Sequence, residues 1–401
     1  MKLKAGLTYW TQANQPPPHY APLRRNVNCD VAIIGGGITG ALVAHALVKA
    51  GKKVVLVDRR PPGTGSTSAS TALLLYDTDT SLAELARRHG QKNAFRVYAL
   101  GKKAVRELGQ IARSGGRDCG YAPRKSLYLA SDAAGFRQLK REYALRRKAG
   151  FPTTWLNRVR LRRQFGLDFP GAIYSPGSAR VDAMRLTQTL MSRDVRRRKL
   201  RVFQGTKIVR VTPNATGVEL HSAGHHLVRA KHVIAATGYE AAPFLPARLV
   251  KLNSSYVIAS QPQPGKESWH DDCLIWETAR PYFYMRTTSD HRILMGGEDE
   301  PFADPARRDA KIATKARRLQ RRFRELFPNV PFEIEYAWTG TFGESPDGLP
   351  YIGAKAGSPR VLYALGYGGN GITFSQIAAT ILTRICLGQR VPDAKLFRFD
   401  R

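Results

Sequence analysis

Near the start of the chain, two short apolar runs flank a segment whose apolar residues recur at helical spacing. Residues 30–35 are typical of a buried strand, residues 39–51 of a helix, and residues 52–60 of a second strand. Gly51 stands where a helix C-cap belongs. The pattern predicts a βαβ unit, in which two parallel strands are joined by a crossover helix.

The middle of the chain alternates between apolar and polar residues, as antiparallel strands do. Three such strands are predicted, at residues 206–213, 217–223 and 225–230. A separate buried strand is predicted at residues 231–238, where it runs into a glycine. Residues 280–298 predict two further strands, joined by a turn at residues 287–290.

Two helices are predicted in the C-terminal part of the chain. Residues 304–327 show helical spacing, with Asp304 as the N-cap and Pro305 in the first turn. Residues 375–388 predict the last helix, which again ends at a glycine. Further upstream, Asp182 is predicted to cap the helix that begins in "ARVDAMRLTQTL".

The first predicted strand–helix turn carries a dinucleotide-binding motif. Gly35, Gly37 and Gly40 fit G-x-G-x-x-G, in which the glycines allow a tight turn, a close approach to pyrophosphate, and helix–strand packing. The helix N-terminus adds partial positive charge. Asp58 ends the second strand, where a carboxylate can bind ribose hydroxyls. The combination predicts a bound dinucleotide.

Three later segments favour FAD over NAD. A stretch rich in small hydroxylated residues follows the second strand and suits a second cradle for the cofactor. Thr237 and Gly238 stand at a strand end, and a second glycine cluster, Gly366–Gly371, opens the last helix. That helix start is a second site where backbone dipoles favour an anion or a polar ring.

Taken in order, these motifs resemble the D-amino-acid oxidase superfamily of FAD-dependent oxidoreductases, which includes glycine, sarcosine and γ-glutamylputrescine oxidase-like enzymes. The resemblance runs from Trp10 to about Leu387. It implies ADP and adenine contacts at Gly35, Gly37, Ile38, Thr39, Gly40, Asp58, Arg59 and Ile208. It implies flavin contacts at Ser66, Thr67, Ser70, Thr71, Ala72, Gly368, Gly369, Asn370, Gly371, Ile372 and Thr373. Further cofactor contacts are implied at Ala236, Thr237, Gly238 and Gly340.

The family's fold implies a mixed α/β chain with a Rossmann-type FAD-binding domain and an interleaved, antiparallel-sheet substrate domain. Here it predicts a discontinuous FAD-binding domain at residues 1–90, 171–250 and 338–401. The substrate domain would comprise residues 91–170 and 251–337.

The substrate pocket departs from the family pattern. Phe342 occupies the place where amino-acid oxidases of this family hold the substrate carboxylate with an arginine. Phenylalanine cannot bind a carboxylate, so it would pack against an apolar or polyamine substrate instead. Arg286, beside Tyr284, is either a replacement anchor for a carboxylate or a solvated strand arginine. No cysteine lies near Gly340, where sarcosine-oxidase-like members tether FAD, so FAD is expected to be non-covalent.

The resemblance implies oxidation of the C–N bond of a primary or secondary amine or amino acid to an imine. Hydride would pass to flavin N5, and O2 or another acceptor would reoxidise the flavin. Two alternatives stay open: an oxidative tRNA-modifying or RNA-associated flavoprotein, and a D-amino-acid dehydrogenase linked to membrane quinones. The sequence does not specify the substrate, the acceptor or the oligomeric state.

The chain is strongly basic, with 64 Lys and Arg against 31 Asp and Glu and a formal charge of +33. Such charge favours RNA or an anionic membrane surface as a weak partner. The positive residues are dispersed, and the basic runs are predicted to lie on solvated helix faces. These runs are residues 140–148, 193–201 and 316–325.

The remaining candidate chemistry is sparse. The chain has no signal-peptide-like apolar core and no apolar run of about 20 residues, which predicts a cytoplasmic protein. Its four widely spaced cysteines are predicted to be free thiols: Cys29, Cys119, Cys273 and Cys386. No metal site is predicted, since His221, His225 and His226 fall at a hairpin tip and adjacent side chains point to opposite faces.

Overall fold

The computed structural model describes residues 2–240, 249–265 and 267–401, which form ten α-helices and eighteen β-strands in two sheets. The helices are α1 Tyr9–Ala13, α2 Ile38–Lys49, α3 Leu82–His89, α4 Gln91–Ser114, α5 Ala133–Lys148, α6 Arg158–Phe165, α7 Ala183–Arg196, α8 Pro305–Ala310, α9 Ile312–Leu326 and α10 Gly371–Cys386. The chain therefore has the mixed α/β fold that the sequence predicts.

One sheet has eight strands. They are β2 Val27–Ile34, β3 Val54–Val57, β8 Leu200–Phe203, β9 Ile208–Pro213, β10 Val218–Ser222, β11 Leu227–Ala235, β17 Tyr351–Lys355 and β18 Ser358–Leu365. Its main order is β17-β18-β11-β2-β3-β8, in which the five strands from β18 to β8 are parallel. β9 and β10 form an antiparallel extension from β11.

The predicted βαβ unit is β2–α2–β3, at the centre of this sheet. Its strands read as continuous apolar runs because the parallel strands are covered on both faces. Helices α2, α4, α7 and α10 contribute to the apolar core on one face of the sheet. The carboxyl ends of the parallel strands meet at one edge, where α/β folds bind their ligands.

The other sheet has ten strands. They are β1 Lys4–Gly6, β4 Leu73–Leu74, β5 Ala122–Leu129, β6 Thr154–Asn157, β7 Gly171–Arg180, β12 Lys251–Ser260, β13 Leu274–Glu277, β14 Tyr284–Thr287, β15 Ile293–Glu300 and β16 Ile334–Glu344. Its main order is β1-β16-β12-β15-β14-β13-β5-β7-β4. All of these pairs are antiparallel except β13 with β5, and α9 packs into the apolar core of the sheet.

Four predicted elements differ in detail from the structure. The strands predicted at 225–230 and 231–238 are one continuous strand, β11, whose start pairs with β10 while its end lies between β2 and β18. The helix predicted at 304–327 is divided at Lys311 into α8 and α9. The last helix begins earlier than predicted, at Gly371.

The two predicted helix N-caps are confirmed, whereas the C-cap of α2 is Ala50 and Gly51 follows it. The Asp304 side chain accepts a hydrogen bond from the Arg307 backbone N–H, and Pro305 occupies the first turn of α8. The Asp182 side chain accepts from the Arg185 N–H at the start of α7. Each carboxylate satisfies one of the backbone donors that a helix N-terminus leaves free.

The two sheets divide the chain differently from the predicted domain boundaries. β7 belongs to the ten-stranded sheet, although residues 171–250 are predicted in the FAD-binding domain. The same sheet includes β1 and β4 from residues 1–90, and β16 crosses the boundary predicted at 338. The chain thus passes from one sheet to the other more times than it crosses a predicted domain boundary.

Not all of the basic runs are solvated. Arg146 on α5 is fully buried and pairs with Asp77 and Glu142 at 2.9 and 2.8 Å. Arg193 on α7 is also buried and donates to His45. The prediction of solvated faces is wrong at these two positions, because acids or rings from other helices and loops lie against them.

Candidate functional site

A cavity of about 760 Å³ lies between the two sheets. At one end it is lined by the β2–α2 turn, the end of β3, and β9. At the other end its lining comes from strands β12 to β16 of the ten-stranded sheet. We call this the cofactor cavity. Its size falls in the range of roughly 300–1,000 Å³ typical of ligand sites.

The glycines of the β2–α2 turn have different structural roles. Gly35 has a φ of +109°, and a β-carbon there would lie 2.3 Å from the Ala236 carbonyl oxygen. At Gly40, a β-carbon would lie 1.9 Å from the Gly35 carbonyl oxygen, so only glycine lets α2 pack on the strand. At Gly37, the one atom within 4 Å of such a β-carbon is the Thr67 hydroxyl oxygen, at 3.1 Å. Gly37 therefore leaves space on the cavity side, as pyrophosphate binding requires.

Asp58 is held in place by the backbone around it. One carboxylate oxygen accepts from the Gly36 N–H at 2.6 Å, and the other accepts from the Arg60 N–H at 2.9 Å. Each oxygen keeps a second lone pair for another donor. Arg59 lines the cavity nearby and forms an ion pair with Glu240. A ribose hydroxyl can reach a carboxylate that is already oriented.

The segment after β3 folds over the same end of the cavity, with Ser66–Ala69 in a short 3₁₀ turn. The Thr67 hydroxyl accepts from the Ile38 N–H at 3.0 Å and so joins this turn to the start of α2. Ser66 and Thr237 line the cavity, and their hydroxyls are buried without a hydrogen-bond partner among the described residues. Buried polar groups are normally paired, so these two hydroxyls suit a polar ligand in the cavity.

The C-terminal glycine cluster closes the cavity through a contact with a distant loop. The Gly369 N–H donates to Asp79 Oδ2 at 2.6 Å, and the Asp79 N–H donates to Asn370 Oδ1 at 2.9 Å. The Tyr239 hydroxyl donates to the Gly368 carbonyl. A β-carbon at Gly369 would lie 2.5 Å from the Asp79 carboxylate, so this approach requires glycine.

Most of the predicted site residues line this one cavity. From the nucleotide side these are Gly35, Gly37, Ile38, Thr39, Asp58, Arg59, Ile208, Ala236, Thr237 and Gly238. From the flavin and substrate side they are Ser66, Thr67, Ser70, Thr71, Ala72, Tyr284, Gly340, Phe342, Gly368, Gly369, Asn370, Gly371 and Ile372. The structure thus brings together residues from seven separate segments of the chain.

Three predicted residues are not among those that line the cavity: Gly40, Thr373 and Arg286. Gly40 serves helix–strand packing, and the Thr373 hydroxyl donates to the Leu75 carbonyl. Arg286 is only 1% exposed, so it is not a solvated strand arginine. Its guanidinium donates to the Val181 carbonyl and lies over the Trp10 ring, 5.1 Å from the centroid.

Asp299 on the ten-stranded sheet lines the cavity, and a β-bulge in β15 turns its side chain that way. Glu300 pairs with Ser254 and Gly297 pairs with Tyr256. Two residues of β15, Glu298 and Asp299, therefore lie opposite the single residue Ser255 of β12. Glu298 adopts a φ of +57° within this bulge. Bulges re-aim side chains next to functional sites. Asp299 lines the cavity, and its Oδ1 has no hydrogen-bond partner among the described residues.

Burial raises the pKa of the Asp299 carboxyl to about 7. The neighbouring Ser255 hydroxyl opposes this rise, while the Asp79 and Glu344 carboxyls add to it and the Arg280 charge again opposes it. An ionised carboxylate here lacks a full set of partners, so a bound cation would stabilise it.

Aromatic side chains line the same part of the cavity as Asp299. The Tyr284 hydroxyl lies 3.2 Å from the Ser255 hydroxyl, and the Tyr282 hydroxyl donates to Asp79 at 3.3 Å. A β-carbon at Gly296 would lie 2.4 Å from the Tyr284 ring, so this glycine makes room for the tyrosine. We call this part of the cavity the substrate end. Its lining comprises Ser255, Val257, Trp276, Tyr282, Tyr284, Asp299 and Phe342, and none of these described residues is a lysine or arginine.

Sequence reasoning missed several residues of this site: Asp79, Tyr239, Trp276, Tyr282 as a lining residue, and Asp299. Asp299 lies in "GGEDEP", which gives no sign that a bulge turns it inward. Asp79 lies in no recognisable sequence motif. Its role depends on the hydrogen bond from the Gly369 N–H, which is 290 residues away in sequence. A glycine pair inside a predicted strand, at Gly296 and Gly297, was the one available signal of a bulge.

Three further features of the described residues concern metal binding, membrane spans and the cysteines. No group of three or more His, Cys, Asp or Glu side chains is placed to hold a metal ion within the described ranges. No described helix is long and apolar enough to cross a bilayer. All four cysteines are free thiols, as predicted.

Several named proteins are similar to this chain over most of its length. A probable oxidoreductase, OrdL, of Rhizobium meliloti is 23% identical over 95% of this chain and 88% of its own length. Glycine oxidase of Geobacillus kaustophilus is 25% identical over 88% of the chain and 91% of its own length. Gamma-glutamylputrescine oxidoreductase of Escherichia coli is 24% identical over 98% of this chain and 90% of its own length.

The fold is shared with solved structures. The glycine oxidase structure from Geobacillus kaustophilus superposes with a TM-score of 0.77, covering 92% of this chain and 96% of that one at 20% identity. The structure of L-proline dehydrogenase from P. horikoshii superposes with a TM-score of 0.76. The match covers 94% of this chain and 99% of that one at 18% identity. A family profile described as FAD dependent oxidoreductase matches residues 30–385. The chain therefore belongs to the DAO family of FAD-dependent oxidoreductases.

Proposed function

We propose that the protein oxidises the C–N bond of a primary or secondary amine to an imine, which water then hydrolyses. The observation that carries this proposal is the single cavity whose nucleotide end holds the dinucleotide motif and whose substrate end holds Asp299. The names of the relatives support it, since they include oxidases of amines and amino acids.

Bound FAD supplies the chemistry by accepting hydride equivalents at flavin N5. The protein's part is to bind both reactants, orient them and exclude water. Gly37 and the N-terminus of α2 would hold the pyrophosphate, and Asp58 the ribose. The glycine cluster at 368–371 and the 66–72 segment would hold the flavin. The described lining includes no cysteine, in accord with non-covalent FAD.

We further propose that the preferred substrate is a cationic amine without a carboxylate beside the reacting carbon. Phe342 lines the cavity in the place where the sequence resemblance expects an arginine, and the lining of the substrate end offers no guanidinium. Arg286 does not line the cavity, so it is not proposed as the substitute anchor.

Asp299 would bind the substrate ammonium, with the rings of Tyr282 and Tyr284 beside it. Cations are attracted to the faces of aromatic rings as well as to carboxylates. Because hydride transfer needs an amine with a free lone pair, a carboxylate whose pKa is about 7 could also take up a proton from the bound ammonium.

Two measurements test these proposals separately. Acid precipitation of the purified protein should release yellow FAD into the supernatant, which tests the non-covalent cofactor. The protein should also be mixed anaerobically with 1,4-diaminobutane, n-butylamine, glycine or D-alanine in separate experiments. The two amines should bleach the flavin faster than glycine or D-alanine does. A colourless protein would contradict the first proposal, and rapid bleaching by glycine with no response to amines would contradict the second.

A further inference from the structure

A second cavity, of about 1,070 Å³, opens on the far part of the ten-stranded sheet and shares no lining residue with the cofactor cavity. Its floor is the end of β7, one wall is α4, and the other wall is β5 with the 267–272 loop. We call it the basic groove. Six of its lining residues are cationic: Lys102, Lys103, Arg106, Arg124, Lys125 and Arg180.

The acids in the groove do not balance these charges. They are Glu267, Asp271 and Asp272. Lys125 pairs with Asp271 at 2.8 Å, and Arg124 is 3.9 Å from Asp272. By contrast, Lys102, Arg106 and Arg180 form no ion pair with any described residue. The groove therefore concentrates positive charge in a concave surface, where the field on an anion is strongest.

The floor of the groove also contains buried polar groups that lack partners. Arg180 is 9% exposed; its Nη1 donates to Thr287 and to the Thr288 carbonyl, but its Nε has no partner in the described chain. Ser178 Oγ and Arg124 Nε are likewise buried and unpaired among the described residues. Such groups are costly unless a ligand or neighbour satisfies them.

The cations of the floor repel one another. Burial, and after it the Arg124 charge, lower the pKa of Arg180 to about 10. Burial also lowers the pKa of Arg286 to about 9, with the Arg180 charge as the next cause. Above this floor, Lys102 reaches over Gly177: its Cε lies 3.7 Å from where a β-carbon on that glycine would be.

From this geometry we infer that the basic groove is a binding site for a small phosphate-bearing anion. Such a ligand would lie between α4 and β5, with a phosphate group over Arg180 and Ser178 and within reach of Lys102 and Arg106. Arginine and serine donors with surrounding lysines are the groups that recognise phosphate oxygens. This site is independent of the proposed amine oxidation.

Isothermal titration of the FAD-loaded protein with tripolyphosphate at low salt tests this inference. The variant Lys102→Gln/Arg106→Gln removes two charges from the α4 wall of the groove. The matched control, Arg317→Gln/Arg321→Gln, removes two exposed charges of the same i,i+4 spacing from α9. Both variants lower the net charge equally, so general attraction to the basic protein changes equally in each.

We expect the groove variant to bind tripolyphosphate at least about tenfold more weakly, since charge-assisted contacts are lost, while the control stays within about twofold of the wild type. Unchanged flavin absorbance would show that the groove variant is folded. Equal weakening in both variants, or no saturable binding by the wild type, would overturn the inference. A single-stranded RNA that binds the groove more tightly than tripolyphosphate would overturn the assignment to a small ligand.

Discussion

The two ends of the cofactor cavity are determined in different ways. At the nucleotide end, the sites proposed for pyrophosphate and ribose lie in one β2–α2–β3 unit, where glycines at fixed spacing leave room for the ligand. At the substrate end, side chains converge from strands that are far apart in sequence, and a bulge in β15 brings Asp299 inward. A local motif can therefore identify a cofactor, but the substrate depends on long-range packing.

The largest effects should come from the glycines of the nucleotide end, and they should separate packing from binding. Gly40→Val places a side chain 1.9 Å from the Gly35 carbonyl oxygen, which overpacks the helix on the strand. We expect it to destabilise the protein by at least about 3 kcal/mol, or to prevent soluble expression. Thermal unfolding monitored by circular dichroism measures this loss.

Gly37→Val should behave differently. Its nearest neighbour is the Thr67 side chain at 3.1 Å, so the fold can adjust, but the new side chain enters the space for pyrophosphate. We expect a folded protein with little or no flavin in its absorbance spectrum. Normal flavin content in Gly37→Val would show that the phosphates lie elsewhere.

Asp299→Asn tests the substrate end. Loss of the charged partner should lower kcat/KM for 1,4-diaminobutane by about 2–3 kcal/mol in free energy, or roughly 30–150-fold, while FAD content is retained. Asp304→Asn is the control, since it makes the same charge change and asparagine still caps α8. If both variants oxidise the diamine like the wild type, Asp299 does not bind the ammonium.

The pH dependence follows from the raised pKa of Asp299. A carboxyl with a pKa of about 7 is neutral below that pH and charged above it. Binding of a cation therefore strengthens as the pH rises through about 7, and kcat/KM for the diamine should rise with it. Asp299→Asn should remove this step and leave any rise at higher pH that reflects the substrate amine itself.

The sequence predicts the nucleotide end of the cavity much better than it predicts the substrate end. Gly37, Gly40 and Asp58 predict the βαβ unit and the cofactor because their contacts come from residues within about 30 positions of them. Gly35 belongs to the same motif, although its close contact is with the distant Ala236. Arg286 is a candidate anchor in the sequence because it lies beside Tyr284, yet its guanidinium lies over the Trp10 ring and Arg286 does not line the cavity. Alternation along β14 gives the side of the sheet on which a residue lies, but not whether another element covers it.

The smallest expected effect is on selectivity in Arg286→Ala. This variant loses the hydrogen bond to the Val181 carbonyl and should be less stable. Because Arg286 does not line the cavity, the ratio of kcat/KM values for the diamine and for glycine should stay within about twofold of the wild type. A selective loss of activity on glycine would restore Arg286 as a carboxylate anchor.

The most direct test of the account is anaerobic reduction of the bound flavin, followed at its visible absorbance band, in the wild type and in Asp299→Asn. The account predicts that 1,4-diaminobutane bleaches the wild-type flavin faster than glycine or D-alanine does, and that Asp299→Asn loses this preference. Faster bleaching by glycine or D-alanine in the wild type, unchanged in Asp299→Asn, would contradict it.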